Sequence, residues 1–399
     1  MYILVINSGS SSIKVKLFDS RTLDVIASGG ADRIGEQGSS IDFKGNRGAY
    51  RRELRMTNHS QAIKEIIKAL MNTETGALHT INDIKAVGHR CVHGGGRFID
   101  SALIDNDVIA KMEECIPLAP LHNPPNLIGI KEARLLLADT PQVAVFDTAF
   151  HQTMPKHAFL YAIPYELYKE HHIRRYGFHG TSFRFVLESM GQLLERSIDQ
   201  ARVIIAHLGN GSSITAVNRG KSVDTSMGMT PVEGLMMGTR SGDLDNGILL
   251  YLMNKLGMSV NEVDTMLNKK SGFLGVSGRG NDVRDIIEYA GRGDQRCRLA
   301  LEICAYRIKK YIGAFAAAMG GLDYLVFTAG IGENSFVMRE LICQDLDFLG
   351  IKLDPVLNRQ TQGTGCDISE KNGQTRVIVV PTNEELMIAR DTQRLAGLA

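Results

Sequence analysis

Residues 3–18, ILVINSGSSSIKVKLF, and residues 203–218, VIIAHLGNGSSITAVN, follow the same plan. Each begins with an apolar strand, passes through a turn rich in glycine and serine, and ends in a second strand of alternating character. Either hairpin alone is adequately explained by turn chemistry, because Gly and Ser are common in turns. Two copies 200 residues apart instead predict two related domains that face each other across a cleft.

The apolar pattern along the whole chain predicts an α/β fold. Runs of three or four apolar residues that end in Gly, Asn or Asp are typical of strands covered on both faces. Strands are predicted at Ile3–Ile6, Ile13–Phe18, Ala86–Gly88, Val143–Phe146, Val203–Ala206, Ser213–Val217, Tyr324–Phe327 and Val377–Val380. Helical periodicity is strongest in Ser60–Met71, Pro125–Leu137, Arg298–Met319 and Glu384–Leu395.

The predicted domain boundary falls after residue 150. The first domain comprises residues 1–150 together with the C-terminal helix 386–399, which is expected to fold back onto it, and the second comprises residues 151–385. The polar stretches Ile34–Arg52 and Gln360–Gln374 are predicted to be surface excursions.

Composition narrows the class of protein. A chain of 399 residues is long enough for two cores, because single cores stop growing at roughly 250–300 residues. The net charge of +1 excludes a broad surface for nucleic acid or anionic membrane, so cationic residues must act locally. The six cysteines have no CxxC pair, which favours free thiols in a reducing compartment. With no signal-peptide pattern and no apolar run near the ~20 residues of a membrane span, a cytoplasmic protein is predicted.

A third turn of small residues follows the strand at Tyr324–Phe327, with the sequence Thr328-Ala-Gly-Ile-Gly-Glu-Asn-Ser335. Small residues let the backbone approach a ligand, and the next helix can present its N-terminus to an anion or nucleotide. The chain contains no GxxxxGK[ST] motif, so a Walker-type loop is excluded. Three small-residue turns at strand ends predict a nucleotide cleft with phosphate cradles of another kind.

Two arginines lie among glycines and small residues. Arg90 follows an apolar strand in VGHRCVHGGG, and Arg240 lies in MMGTRSGD. An arginine between glycines has little use as a helix-surface charge, and its guanidinium suits bidentate contact with an anion. A structural ion pair with a nearby aspartate is the alternative for each.

Other polar residues complete a candidate site for phosphoryl transfer. His179, between Phe and Gly, is either a packed imidazole or a hydrogen-bond donor to the transferred oxygens. Asp147 ends a predicted strand, where α/β folds place ligands, although an aspartate there also serves as a helix cap. Asn7 and the pair Glu384-Glu385 offer hard oxygens for Mg²⁺.

With these residues identified, the sequence resembles the acetate kinase family, within the sugar kinase, heat-shock ATPase and actin superfamily. The resemblance covers the chain from Met1 to about Leu395. It rests on the motifs VINSGSSSIK (5–14), GHRCVHGG (88–95), PLAPLHNPPNL (117–127), VFDTAFH (145–151), RRYGFHGTS (174–182), AHLGNGSS (206–213), DTSMGMTPVEGLMMGTRSGD (224–243), FTAGIGENS (327–335) and PTNEE (381–385).

The resemblance implies two duplicated ribonuclease H-like domains of the actin and sugar kinase type, flanking an active-site cleft. It implies reversible, direct in-line phosphoryl transfer from ATP to acetate, with Mg²⁺ or Mn²⁺, in a homodimer. The implied catalytic residues are Asp147, His179, Arg240 and Arg90, and the implied acyl-group contacts are Arg90, Val92, Leu121, His122, Phe178 and Pro231. The implied nucleotide contacts are Lys14, Ser10, Ser12, His207, Leu208, Gly209, Asn210, Gly211, Asp282, Val283, Arg284, Gly330, Ile331, Gly332, Glu333 and Asn334. The implied metal ligands are Asn7 and Glu384.

In the family, the residue that Asp147 matches is described as a proton donor or acceptor. Acetate, however, is already ionised near neutral pH, so no proton has to be removed from it. We therefore expect Asp147 to orient Arg90 or a metal-bound water. The sequence departs from the family at Phe183, where many relatives have His, at Asn246 and at residues 279–281. Of these, Phe183 is expected to alter the packing behind His179.

Two other functions compete with the one that the resemblance implies. Propionate kinase is the nearer, and Val92 favours acetate because propionate kinases tend to have a smaller residue there; one methylene is worth about 1–3 kcal/mol. The other is the ATPase half of a heat-shock chaperone, which predicts a peptide-binding extension and no paired arginines.

Overall fold

The computed structural model describes residues 1–45, 48–72 and 77–398. The chain divides into two compact units, one of Met1–Phe150 with Asn383–Ala399 and one of His151–Thr382. Among the described residues, none of the helices has both the length and the apolar character that a membrane span requires.

The division differs from the expected boundary only at residues 383–385, which join the first unit rather than the second. The reason is local, because the C-terminal helix begins at Glu384 and the side chain of Asn383 caps it by accepting from the N–H of Leu386. Ala399, the last residue of the expected segment 386–399, lies outside the described residues.

The first unit is built on a mixed sheet. Its strands are β1 Tyr2–Ser8, β2 Ile13–Asp19, β3 Val25–Asp32, β4 Ser40–Gly45, β5 Gly48–Glu53, β6 Ile84–Cys91, β7 Ala102–Leu103 and β8 Gln142–Phe146. Their order across the sheet is β5-β4-β3-β2-β1-β6-β8-β7. Strands β1, β6 and β8 are parallel neighbours, whereas β1 and β2 form an antiparallel hairpin.

The second unit has a smaller mixed sheet. Its strands are β9 Arg202–Leu208, β10 Ser212–Asn218, β11 Lys221–Thr225, β12 Tyr324–Thr328, β13 Cys366–Asp367 and β14 Arg376–Val379. Their order is β11-β10-β9-β12-β14-β13. Strands β9, β12 and β14 run parallel, and β9 and β10 form an antiparallel hairpin.

The helices fill the connections between these strands. They are α1 His59–Leu70, α2 Asn106–Glu114, α3 Asn123–Leu136, α4 Lys156–Phe159, α5 Tyr165–His171, α6 Gly180–Leu193, α7 Asn246–Leu256, α8 Val260–Lys269, α9 Gly272–Ser277, α10 Val283–Gly291, α11 Gln295–Met319, α12 Ala329–Asn334, α13 Phe336–Cys343, α14 Pro355–Gln360 and α15 Glu384–Leu395. Short 3₁₀ helices occur at Ile81–Asp83, Ile116–Leu118, Ala149–Thr153 and Asp347–Leu349.

The two sheets repeat one plan. In the first unit the central order is β3-β2-β1-β6-β8, and in the second it is β11-β10-β9-β12-β14. In both, an antiparallel three-stranded meander is followed by two further parallel strands, and the two hairpins singled out in the sequence are the equivalent β1–β2 and β9–β10. The predicted α/β class with a duplicated ribonuclease H-like unit is confirmed.

Apolar residues on both faces of β1 explain why its sequence is continuously apolar. Leu4 and Ile6 belong to a core with the α1 residue Ile63. Ile3 and Val5 point to the other face and pack with Ile388 of α15. Alternate side chains of a strand point to opposite faces, so helices must cover both sides of this sheet.

The polar stretch Ile34–Arg52 was expected to be a surface excursion, but it contributes an edge hairpin, β4–β5. Strand β5 is exposed at most positions, and its register is set by pairing with β4 rather than by an apolar face. Residues 46 and 47, within this stretch, lie outside the described residues. The second stretch, Gln360–Gln374, contains the two-residue strand β13.

Candidate functional site

Parallel strands bring the predicted residues of the first unit to one edge of the sheet. Asn7 lies near the end of β1, Arg90 near the end of β6 and Asp147 directly after β8. The carboxyl ends of neighbouring parallel strands lie at the same edge, where α/β folds bind ligands. Sequence order alone hides this proximity, because the three residues come from separate segments.

Arg90 forms an ion pair with Asp147. Its Nη2 donates to Oδ2 at 2.6 Å and its Nε to Oδ1 at 3.4 Å. Asp147 is 1% exposed, and the Nε of Arg90 lies 3.7 Å from Oε2 of Glu384. Asp147 raises the pKa of the Arg90 guanidinium most, and Glu384 and Glu385 raise it further. The ion-pair interpretation of Arg90 therefore holds in the structure, although 23% of its side chain stays exposed.

Glu384 lies in a strongly acidic environment. Burial is the main cause that raises its pKa to about 7, and the charges of Asp147 and Glu385 raise it further while Arg90 opposes them. Glu385 pairs with Lys16 at 3.3 Å. Asp147, Glu384 and Glu385 thus lie near the cations Arg90 and Lys16, and ionisation of Glu384 adds a negative charge to this group.

The tip of the β1–β2 hairpin is held by backbone and side-chain bonds. The N–H of Gly9 donates to the carbonyl of Ser12 at 2.8 Å, and His59 Nε2 donates to the carbonyl of Gly9 at 2.7 Å. Lys14 pairs across the hairpin with Asn7, and both line a cavity of about 400 Å³ together with Glu385. Ser10, by contrast, is an exposed residue of the tip.

Asn126 is a residue that the sequence prediction missed. It lies on α3 and is 3% exposed. Its Nδ2 donates to the carbonyl of Ser8 at 2.8 Å, and its Oδ1 accepts from the N–H of Val92 at 3.0 Å. Asn126 thereby ties the hairpin tip to the segment after Arg90. The motif PLAPLHNPPNL contains this asparagine, but only the fold reveals its two partners.

The predicted acyl-group contacts are distributed over both units. In the first, Val92 is half-buried, His122 precedes α3 as its N-cap residue, and Leu121 is 62% exposed. In the second, Phe178 is 3% exposed and its carbonyl accepts from His151 Nε2 at 3.0 Å, while Pro231 is half-buried.

His179 occupies a strained position at the start of α6. Its φ of +58° is uncommon for a residue with a Cβ, and such strain is characteristic of functional sites. Its Nδ1 lies 2.9 Å from Ser213 Oγ, and its ring stacks on His207 with centroids 4.2 Å apart. The ring of Phe183 meets that of His207 edge-on, with centroids 6.1 Å apart. This departure from the family therefore lies next to the stacked pair of His179 and His207.

The structure brings His179 and Arg240 together beside Gly211. A Cβ on Gly211 would lie 3.6 Å from His179 Nε2 and 3.7 Å from Arg240 Nη1. Among the described residues Arg240 has no carboxylate partner; its Nη1 donates to the carbonyl of Pro231 at 3.3 Å. Burial lowers its pKa, with no anion to oppose the effect. The ion-pair interpretation therefore does not hold for Arg240.

A cavity of about 750 Å³ in the second unit collects half of the predicted nucleotide contacts. Of the predicted residues, those that line it are Gly209, Asn210, Asp282, Val283, Arg284, Gly330, Ile331 and Asn334. Residues that the sequence prediction missed also line it: Asn281, Ile287, Ser335, Phe336, Val337 and Gln362. Predicted residues of the same unit that do not line it are His207, Leu208, Gly211, Gly332 and Glu333, and the predicted Lys14, Ser10 and Ser12 belong to the first unit.

Two positions at which the sequence departs from the family, Asn281 and Asn246, lie at the cavity and at the start of a helix respectively. Asn281 donates from Nδ2 to Asn210 Oδ1 at 2.9 Å, so it positions a residue of the β9–β10 turn. Asn246 is the first residue of α7, directly after the capping Asp245.

Fold and site together define a class: phosphotransferases built from two ribonuclease H-like α/β units. The model of the acetokinase family matches residues 2–390. The chain is 51% identical over 396 residues to an acetate kinase of Clostridium acetobutylicum, covering 99% of this chain and 98% of the relative. It is 53% identical over 397 residues to an acetate kinase of Thermotoga petrophila, with coverage of 99% and 98%. The chain therefore belongs to the acetokinase family.

Solved structures agree with this assignment. The chain is similar to the acetate kinase of Porphyromonas gingivalis, with a TM-score of 0.95, 49% identity and 99% of both chains covered. It is also similar to a propionate kinase of Francisella tularensis subsp. tularensis SCHU S4, with a TM-score of 0.92, 44% identity and the same coverage. Both kinds of acceptor thus occur among proteins of nearly identical fold.

Proposed function

We propose that this chain is an acetate kinase, which transfers the terminal phosphoryl group of ATP to acetate, reversibly, to give acetyl phosphate and ADP. The observation that carries the proposal is Arg240, a half-buried guanidinium beside His179 with no carboxylate partner among the described residues. Burial of a cation costs free energy unless a partner compensates it. A substrate phosphoryl group is the partner that this arrangement lacks.

In the proposed reaction the acetate carboxylate attacks the γ-phosphorus of ATP in line with the departing ADP oxygen. Phosphoryl transfer needs positioning and charge stabilisation more than covalent help from the protein. We assign the charge stabilisation to Arg90, Arg240 and His179, because guanidinium groups and an imidazole N–H donate to phosphoryl oxygens.

Asp147 has a supporting role in this proposal. Its carboxylate holds Arg90 through two hydrogen bonds, which fixes the guanidinium in one orientation. Acetate needs no proton removed before it attacks, because it is ionised at neutral pH. We therefore assign Asp147 to orienting Arg90 and not to acid–base catalysis.

A magnesium ion fits the donor set of the first unit, with manganese as the alternative. Asn7 and Glu384 offer oxygen ligands, and Glu384 belongs to the group of carboxylates around Arg90. No group of three or more His, Cys, Asp or Glu side chains forms a ligand set within the described ranges, so phosphate and water would supply the other ligands, as Mg²⁺ often requires. When bound, the ion would neutralise phosphate charge.

The second unit supplies the nucleotide contacts in this proposal. The apolar residues Val283, Ile287 and Ile331 line the 750 Å³ cavity and suit the faces of a nucleobase. Asn210 and Gly330 line it at the ends of β9 and β12, where exposed N–H groups suit phosphate. We assign ATP to this cavity.

Acetate is the preferred acceptor in this proposal. Propionate is the alternative, because one structure similar to this chain is that of a propionate kinase. A steady-state comparison of acetate, propionate and butyrate decides between them. We expect the highest kcat/KM for acetate, with propionate lower by about five- to a hundredfold for one methylene. Equal or higher kcat/KM for propionate would reject the assignment.

Formation of ATP from acetyl phosphate and ADP tests the function directly. We expect ATP to appear only when both substrates and Mg²⁺ are present. A chaperone-type ATPase would instead hydrolyse ATP without acetate and would form no ATP from acetyl phosphate. Absence of ATP formation by the wild-type protein would overturn the proposal.

Assembly and location are further proposals that come from the family resemblance. We propose a homodimer, which light scattering after size-exclusion chromatography tests, with a monomer mass of 43.8 kDa for reference. We also propose a cytoplasmic location; all six cysteines are free thiols in the structure, which suits a reducing compartment. Fractionation of cells that express the protein tests this location.

A further inference from the structure

The loop 225–243 carries both Arg240 and Pro231. These two residues are in contact, since Arg240 Nη1 donates to the carbonyl of Pro231 at 3.3 Å. Whatever fixes the backbone at Pro231 therefore also sets where the guanidinium can lie. The inference below rests on the proposed function, in which these residues contact the acyl and phosphoryl groups.

Glu233, two residues after Pro231, is bound by residues from an earlier part of the chain. Its Oε1 accepts from Arg175 Nη2 at 2.6 Å, and its Oε2 accepts from the hydroxyl of Tyr161. The side chains of Arg175 and Glu233 are only 16% and 30% exposed, so solvent screens this ion pair less than a surface pair.

The same two partners also hold the beginning of the loop. Arg175 Nη1 donates to the carbonyls of Thr225, Ser226 and Met227 at 2.9–3.3 Å. The hydroxyl of Tyr161 accepts from the N–H of Met229 at 3.0 Å. Both ends of the segment before and after Pro231 are thus tied to one pair of side chains.

Glu233 and Tyr161 pack tightly against the loop backbone at Gly228. A Cβ on Gly228 would lie 1.7 Å from Oε2 of Glu233 and 2.3 Å from the hydroxyl of Tyr161. The far end of the loop is fixed separately by Asp243, whose Oδ1 accepts from the N–H of Gly234 and whose Oδ2 accepts from Tyr311, both at 2.8 Å. Glu233 therefore governs the part of the loop that contains Pro231.

We infer that Glu233, held by Tyr161 and Arg175, is a positioning residue that sets Pro231 and Arg240 and thereby determines which acyl chain length the enzyme prefers. It need not touch the substrate. Loss of its charge would let the segment around Pro231 shift, which changes the space for the acyl group and the orientation of the guanidinium.

The test compares Glu233→Gln and Tyr161→Phe with wild type, using acetate and propionate as acceptors. We expect kcat/KM for acetate to fall roughly ten- to hundredfold in Glu233→Gln, because hydrogen bonds to charged groups are the stronger ones. We expect KM for ATP to change less than about twofold, and the acetate-to-propionate ratio of kcat/KM to fall by about threefold or more, since pocket shape sets that ratio.

Asp323→Asn is the matched control. It makes the same acid-to-amide change in the second unit and breaks the ion pair of Asp323 with Arg202, 2.7 Å long, without touching the loop. We expect this variant to lose some thermal stability and to keep the wild-type acetate-to-propionate ratio of kcat/KM. A change that affects only stability should leave that ratio unchanged.

The outcomes separate the inference from the proposed function. If the wild-type protein forms no ATP from acetyl phosphate and ADP, the function fails. If wild type is active and Glu233→Gln, folded by circular dichroism, keeps the wild-type ratio, the inference is overturned. Should Glu233→Gln not fold, Tyr161→Phe decides, because it removes only one hydroxyl; an unchanged ratio in that variant also overturns the inference.

Discussion

Arg90 and Arg240 carry the same side chain in opposite electrostatic surroundings. Arg90 is bound by Asp147 and lies near Glu384, so its charge is compensated before any substrate arrives. Arg240 has no carboxylate partner in the described part of the chain, and burial lowers its pKa. An incoming phosphoryl group would therefore compensate the charge of Arg240 more than that of Arg90. The contribution of Asp147 to Arg90 is mainly to fix the orientation of the guanidinium.

Replacement of Arg240 tests this difference. In Arg240→Ala we expect kcat to fall by about 10²–10³-fold, as removal of a transition-state donor typically does, while KM for ADP changes little. Steady-state assays in both directions measure this. The exposed Arg292→Ala, which breaks only a surface pair with Glu288, is the control and should match wild type. A loss of less than about tenfold in Arg240→Ala would contradict the assigned role.

Solvent isotope effects test the role of Asp147. If Asp147 only orients Arg90, no proton moves in the chemical step, and kcat in D₂O should equal kcat in H₂O for both wild type and Asp147→Asn. We also expect kcat/KM of Asp147→Asn to fall by about ten- to hundredfold, because a charged hydrogen bond is lost. A marked isotope effect in wild type that vanishes in the variant would show that Asp147 transfers a proton after all.

Among the elements, α3 does more than cover the first sheet. Through Asn126 it supplies one acceptor and one donor to backbone groups of two separate segments, at Ser8 at the end of β1 and at Val92 after β6. A helix residue with two long-range partners couples the hairpin tip to the segment after Arg90. Neither periodicity nor propensity predicts such a residue, because its partners lie 118 and 34 residues away in the chain.

Asn126→Leu should therefore destabilise the first unit. Two backbone groups lose a hydrogen-bond partner, which costs about 2–6 kcal/mol of unfolding free energy at about 1–3 kcal/mol per group. Urea unfolding followed by circular dichroism measures this. The exposed Asn254→Leu on α7 serves as control and should change the unfolding free energy by less than about 0.5 kcal/mol. Equal effects of the two substitutions would refute the coupling.

Several elements could be predicted from their apolar faces, whereas an element that is defined by strand pairing could not. Strand β1 was predicted because Leu4 and Ile6 on one face and Ile3 on the other are all buried. Helix α11 was predicted because its core residues recur with helical period and Gly320, at φ +71°, ends it. Strand β5 was missed because Tyr50 is its only half-buried residue and pairing with β4 defines it.

The candidate site shows the same limit. The strand-end residues Arg90 and Asp147 could be predicted, because an α/β pattern fixes which strand ends carry ligands. The role of Glu233 could not, because its partner Arg175 lies 58 residues away and no local pattern links them. Arg90 and Asp147 follow strand ends, whereas the position of Glu233 depends on tertiary contacts.

At the scale of the whole molecule, two buried histidines make stability depend on pH. Burial lowers the pKa of His89, in the first unit, and of His151, in the second, to about 4. The unfolded chain has a histidine pKa near 6.5, so below that pH it binds more protons than the folded protein. The stability contributed by keeping these two histidines neutral is therefore lost as pH falls from about 6.5 towards 4 and is fully present above that window. The raised pKa of Glu384 acts in the opposite direction.

Unfolding at two pH values tests this. Between pH 7.5 and 5.5 we expect each histidine to lower the unfolding free energy by about 1.3 kcal/mol, from the two pKa values and the linkage relation. His89→Gln should lose that part of the pH dependence even if the variant is less stable at both pH values. An unchanged difference between the two pH values in His89→Gln would rule out His89 as a source of the effect.

Helix α15 follows the second unit in the chain but packs in the first, where Ile388 and Ala389 cover Ile3, Val5 and Val143. A ribosome therefore releases residues 1–150 long before it makes the helix that covers one face of their sheet. The second unit, contiguous at 151–382, has all its parts during synthesis. We expect the nascent first unit to need protection of that apolar face, for instance by a chaperone, until α15 emerges, so that the unit begun before the second one is completed after it.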